Sequence, residues 1–156
     1  MLCRERLQRM LEEAGISYQV MIHPVAYTAQ EVAAQLHVSG YQVAKVVMAK
    51  VDDRLVMLVL PAPYRVDLER LRREMGAASA RLAHEEEFAE VFPDCEVGAM
   101  PPFGYLYGIP VYVDRSLTRD PEIVFNAGTH RETIRMRYAD YERLVQPQVL
   151  DFAVGP

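Results

Sequence analysis

Seven consecutive residues, Gly98-Ala99-Met100-Pro101-Pro102-Phe103-Gly104, restrict this chain more than any other stretch. Two adjacent prolines remove N–H donors and fix φ, and the flanking glycines open backbone angles that other residues avoid. Neither a helix nor a strand survives that composition, so the segment reads as a stiff loop with a defined path. Two uses of such a loop stay open. It is a structural turn, or it holds exposed backbone N–H groups still beside a glycine that lets a ligand approach. The second arrangement binds an acyl carbonyl or a developing oxyanion without a charged side chain.

The elements around the loop follow from local pattern. Residues 2–14 place Leu7, Met10, Leu11 and Ala14 at helical spacing and stop at Gly15. Residues 17–22 alternate as a strand that His23-Pro24 breaks. Thr28 caps a helix to about Leu36, with Glu31 completing a capping box. Residues 43–51 and 55–60 are apolar and β-branched, and Asp52-Asp53 turns one onto the other as a hairpin. Asp67 caps a short helix that Gly76 ends. A short strand at 80–83 and a helix from His84 to Val91 precede the loop. Strands at 111–113, 123–126 and 132–137 and a closing helix at 138–145 come after it. With 156 residues, 51% of them hydrophobic, the chain suffices for one domain, expected over 1–147 with a loose tail at 148–156. Strands and helices mix without regular βαβ alternation. The expected class is α+β, a mixed, mostly antiparallel, curled and barrel-like sheet flanked by helices.

Composition excludes several functions. The chain carries 22 acidic against 17 basic side chains, a net −5, so it is not built to wrap DNA or RNA through phosphates. Any RNA contact is local, at a small basic patch or a strand end. No apolar run approaches the ~20 residues of a membrane span, and the N-terminus lacks the apolar core of a signal peptide. Cys3 and Cys95 match no metal or redox spacing and read as reduced thiols of a cytoplasmic protein.

Few residues carry chemistry. Lys45 shares a strand face with Val43, Val47 and Ala49, so its ammonium needs a carboxylate, a carbonyl or a ligand, or it snorkels to a sheet edge. His23 and His130 each stand alone, a pattern more common for hydrogen-bonded surface histidines than for catalysts. No histidine pair has ligand spacing, so no metal and no cofactor is expected. No serine sits in a Gly-x-Ser-x-Gly elbow, and Asp94 and Glu96 disfavour a Cys95 thiolate. What remains is Lys45, the Gly98 loop and a second glycine turn, Asn126-Ala127-Gly128-Thr129-His130. Such a site works by positioning and backbone hydrogen bonds.

These pieces, in this order, resemble the YbaK/prolyl-tRNA-synthetase-associated domain family of free-standing aminoacyl-tRNA deacylases. The resemblance runs through His23-Pro24 with Thr28 and Glu31, Ala44-Lys45-Val46-Val47, Val59-Leu60-Pro61-Ala62, the Gly98 loop and Phe125-Asn126-Ala127-Gly128-Thr129. It implies trans-editing hydrolysis of the ester of a mischarged aminoacyl-tRNA carrying a small amino acid. It assigns catalysis to Lys45 and Gly98. It assigns substrate contact to His23, Thr28, Ala99, Met100, Pro101, Pro102, Phe103, Gly104, Asn126, Gly128 and His130. Backbone N–H groups near Gly98 and Ala99 would stabilise the oxyanion, and Lys45 would fix the terminal adenosine. The implied partners are the 3′ end of aminoacyl-tRNA and an aminoacyl-tRNA synthetase. The alternatives are a non-catalytic module of the same fold that binds an RNA end, an amino acid or a protein, and a scaffold with no small-molecule site.

Overall fold

The computed structural model describes residues 2–156; Met1, the first residue of the expected domain, lies outside the described residues. Helix α1 (Cys3–Glu13) buries Cys3, Leu7 and Leu11, one per turn. Strand β1 (Tyr18–Ile22) follows, then α2 (Ala29–Leu36). The Thr28 hydroxyl accepts the Glu31 N–H at 3.1 Å. Glu31 closes its half of the box one residue early, on the Tyr27 N–H at 3.2 Å.

Strands β2 (Ala44–Val51) and β3 (Arg54–Pro61) form the expected hairpin, with Ala44 opposite Pro61 and Val51 opposite Arg54. Asp52 and Asp53 both have positive φ, as a two-residue type I′ turn requires. Then come β4 (Arg65–Val66), α3 (Leu68–Glu74), β5 (Ala80–Leu82) and α4 (Glu85–Phe88), which continues as a 3-10 turn over Ala89–Val91. After the Gly98 loop the chain makes β6 (Val111–Asp114), β7 (Glu122–Asn126), β8 (Glu132–Arg137), α5 (Tyr138–Val145), β9 (Gln148–Leu150) and β10 (Ala153–Val154).

The strands form three ladders, in the orders β5-β2-β3-β6-β9, β1-β8-β7 and β10-β4. Pairing is mostly antiparallel, with β6 parallel to both β3 and β9. The class is therefore α+β with mixed sheets. None of the three ladders closes on itself, so the curl expected from sequence stops short of a barrel. From Leu55 on β3 is apolar, because it is covered on both faces. Met57 and Val59 enter the main core beside Phe103, Phe125 and Tyr141, while Val56, Leu58 and Leu60 enter a second core with Leu71 and Phe152. A parallel bridge from Val43, just ahead of β2, to Val124 of β7 sets the two larger sheets side by side.

Two expectations are corrected. Residues 148–156 are not a loose tail. β9 pairs with β6 and β10 with β4, and Phe152 is fully buried. The Asp114 carboxylate pins this segment by accepting the Phe152 and Ala153 N–H groups at 2.9 and 2.8 Å. Cys3 and Cys95 are not free thiols either, but are joined by a disulfide. Helix α1 and the segment entering the Gly98 loop lie against each other, a juxtaposition of residues 92 apart that spacing rules do not see.

Candidate functional site

A cavity of about 240 Å³ opens at the seam between the two larger sheets. It is lined by the first residues of α2 with Tyr27 and Thr28, by the start of β2, by Gly98 and Met100 of the loop, and by Asn126 at the end of β7. The seam is where these elements must meet, because the Val43–Val124 bridge brings the head of β2 to β7.

Lys45 reaches this cavity from the sheet. Its ammonium donates to the Ala62 carbonyl at 2.9 Å, and the Gln30 amide donates to the same oxygen at 3.1 Å. A backbone carbonyl therefore partners the charge, and a second donor shares it. The side chain is half-buried, and desolvation pulls its pKa below the ordinary lysine value.

The loop is held by backbone geometry. The Ala99 N–H donates to the Glu96 carbonyl at 3.0 Å, closing a four-residue turn with Gly98 at φ +85° in its third position. That position of a type II turn needs glycine. The turn clamps onto the second glycine turn: Glu96 N–H donates to the Gly128 carbonyl at 2.7 Å, and Gly128 N–H to the Ala99 carbonyl at 2.9 Å. Gly128, at φ +101°, is pressed on Cys3, and a Cβ there would lie 2.7 Å from the Cys3 Cβ. His130 adds two contacts. Its N–H donates to the Glu96 carboxylate at 2.8 Å, and its ring Nε2 lies 3.0 Å from the Val97 carbonyl. The Gly98 N–H faces only the Met100 thioether, at 3.3 Å, a weak acceptor.

Of the residues singled out from sequence, the structure brings Thr28, Lys45, Gly98, Met100 and Asn126 to one cavity. His130 lies in an adjoining recess with Ile22, Thr129 and Arg131, which shares Tyr27 as a wall. His23 is buried at the end of β1, with Nδ1 2.7 Å from the Pro24 carbonyl, and lines neither space. Ala99, Pro101, Pro102, Phe103 and Gly104 are buried. Phe103 packs edge-on to Phe125 and Tyr141, and the Tyr141 hydroxyl donates to the Pro102 carbonyl at 2.7 Å. Burial lifts the Tyr141 phenol well above its usual range, so it stays a donor. These five residues anchor the loop rather than face the cavity. Ala99 is corrected in a second respect, since its N–H is already spent on Glu96 and cannot serve an oxyanion. Sequence reasoning missed Tyr27 and Gln30. Their only local signal is that they flank the Thr28 cap, where a helix start faces whatever lies beyond it.

A family model described as the aminoacyl-tRNA editing domain matches residues 23–144. The chain is 30% identical over 153 residues to the Multifunctional Ser/Thr-tRNA deacylase ProXp-y of Escherichia coli strain K12, covering 95% of this chain and 91% of the relative. It is 27% identical over 106 residues to a proline–tRNA ligase of Bacillus cereus strain G9842, where the match covers 68% of this chain and 19% of the ligase. Among solved structures, a candidate trans-editing enzyme for prolyl-tRNA synthetase superposes with a TM-score of 0.84 at 27% identity, covering 98% of each chain.

Proposed function

The chain belongs to the aminoacyl-tRNA editing domain family, and from that membership we propose that it hydrolyses, in trans, the ester of mischarged aminoacyl-tRNA carrying a small amino acid. The observation that carries the reading is the meeting of a lightly held backbone donor, Gly98 N–H, and a half-buried ammonium, Lys45, in one cavity with an apolar wall of Val43, Ala44, Val46 and Met100.

The aminoacyl group enters past Met100, whose thioether yields the Gly98 N–H to the ester carbonyl. As water attacks, that N–H strengthens its bond to the developing oxyanion. The Asn126 Oδ1, buried and without a partner among the described residues, accepts from the substrate α-ammonium. Lys45 places the terminal adenosine through its phosphate or the ester carbonyl. The water oxygen bonds to the carbonyl carbon, the bond to the ribose oxygen breaks, and the water's proton passes to that oxygen. The products are free amino acid and uncharged tRNA. Among the described residues no carboxylate, imidazole or thiol lines the cavity, so the neighbouring ribose hydroxyl is the group we assign to orient the water. The preceding nucleotides lie toward Tyr27, which is 69% exposed and offers a face for stacking. Aminoacyl-tRNA is a cytoplasmic substrate, and the similarity to a proline–tRNA ligase supports a synthetase as a delivering partner.

The test is deacylation of tRNA esters of Ala, Ser, Thr, Cys and Pro by the wild type and Lys45→Ala side by side. The expected result is hydrolysis of one or two esters by the wild type and loss in the variant, with the fold retained. Hydrolysis of none moves the reading to a binding module, and equal rates in both proteins remove Lys45 from the mechanism.

A further inference from the structure

We propose that His130 is a positioning residue for the oxyanion donor: its ring grips the Val97 carbonyl and so sets the Val97–Gly98 peptide with its N–H aimed into the cavity. The inference rests on the deacylase reading above and goes beyond it by assigning His130 a role through the loop instead of contact with substrate.

The Val97 carbonyl and the Gly98 N–H belong to one planar amide, so fixing one end fixes the other. Gly98, at φ +85° and exposed, sits where the chain is freest to rotate. Nothing on the cavity side restrains that peptide beyond the Met100 thioether at 3.3 Å. The restraint comes from behind. His130 Nε2 lies 3.0 Å from the Val97 oxygen. A carbonyl oxygen only accepts, so Nε2 carries the proton and donates. The ring packs beside Gly98, since a Cβ built there would meet His130 Cε1 at 3.5 Å. The Tyr27 ring packs against the imidazole at a tilt of 54°, with centroids 4.9 Å apart, and the His130 backbone N–H holds the Glu96 carboxylate at 2.8 Å.

Two consequences follow. The amide plane is set before substrate arrives, so no reorganisation is needed at the moment of reaction. A donor on the carbonyl also draws charge along the amide and makes the Gly98 N–H a stronger donor, as in any chain of hydrogen bonds. His130 contributes to the transition state, where the oxyanion bond is strongest, and little to ground-state binding.

The experiment compares wild type, His130→Ala and His130→Gln by steady-state hydrolysis of the ester the wild type accepts. It also follows the Gly98 amide by ¹⁵N–¹H correlation and hydrogen exchange in the absence of substrate. The Gln amide can donate from about the place of Nε2. Expected for His130→Ala is a kcat lower by about 10- to 100-fold with KM little changed, together with a shifted, faster-exchanging Gly98 amide. His130→Gln restores both. A raised KM at constant kcat, an unmoved Gly98 amide, or failure of Gln to restore the signal overturns the proposal. If the wild type hydrolyses no ester, the deacylase reading falls, and the Gly98 amide alone decides whether His130 sets the loop.

Discussion

At the scale of single residues, the two loop glycines separate function from folding. At Gly98 a Cβ would make only ordinary contact, 3.5 Å from His130 Cε1, but the φ is one that L-residues avoid. Gly98→Ala should therefore cost about 1–2 kcal/mol of backbone strain locally and show itself mainly as a fall in kcat, because relief of that strain turns the N–H away. Gly128 has both the wrong φ and Cys3 in the way at 2.7 Å. Gly128→Ala should cost about 2–4 kcal/mol of global stability, read as a lower midpoint in urea unfolding. Lys45 carries a pH signature. Burial disfavours its charged form, so its ammonium is lost at a lower pH than a free lysine's as pH rises. If that ammonium holds substrate, kcat/KM, corrected for spontaneous ester hydrolysis, should decline on the alkaline side below 10.5. Lys45→Arg, which stays charged, should lack that limb whatever its absolute rate. The apolar strand pattern made Lys45 conspicuous in the sequence. Its partner could not be read there, because the Ala62 carbonyl lies in the turn just beyond the end of the next strand.

At the scale of elements, two attachments that local rules could not foresee fasten the ends of the chain. Asp114, 4% exposed, holds the Phe152 and Ala153 N–H groups with one oxygen and the Ser116 N–H and hydroxyl with the other. Asp114→Ala should strand those buried donors and destabilise by about 2–5 kcal/mol in urea unfolding. Asp114→Asn, which keeps one acceptor oxygen, should cost less. The disulfide ties the first turn of α1 to the segment entering the Gly98 loop, closing 92 residues. Reduction or Cys95→Ser should lower stability by about 2–5 kcal/mol, measured as a shift in Tm with and without reductant. The elements themselves were largely legible. The hairpin β2–β3, the Thr28 cap and the bounds of α5 arise from contacts within about one helical turn or one strand alternation, which sequence displays directly. β9 and β10 were not, because these short strands at the end of the chain exist only through their distant partners, β6 and β4.

At the scale of the whole molecule, an acidic chain must meet a polyanion. With net charge −5 and one lysine in the cavity, the recognised part of the RNA is small. The logarithm of tRNA affinity should then fall with the logarithm of salt at a slope near −1 to −2, about one to three phosphates for a single-stranded end. A slope several-fold steeper, measured by filter binding across a salt series, would point instead to contact with the duplex arms. The sequence by itself determined the α+β class, the helix caps, the β2–β3 hairpin, the stiffness of the Gly98 loop and the isolation of Lys45, all of which depend on neighbours a few positions away. Only the tertiary structure decided which loop N–H stays available, that Ala99 spends its own on Glu96, that Phe103 is an anchor, that Cys3 finds Cys95, and that the last residues add strands beside β6 and β4. The physical reason is separation along the chain. His130 meets Val97 across 33 residues and Asp114 meets Phe152 across 38. Contacts of that range are chosen by the packing of whole sheets against each other, which no local pattern encodes.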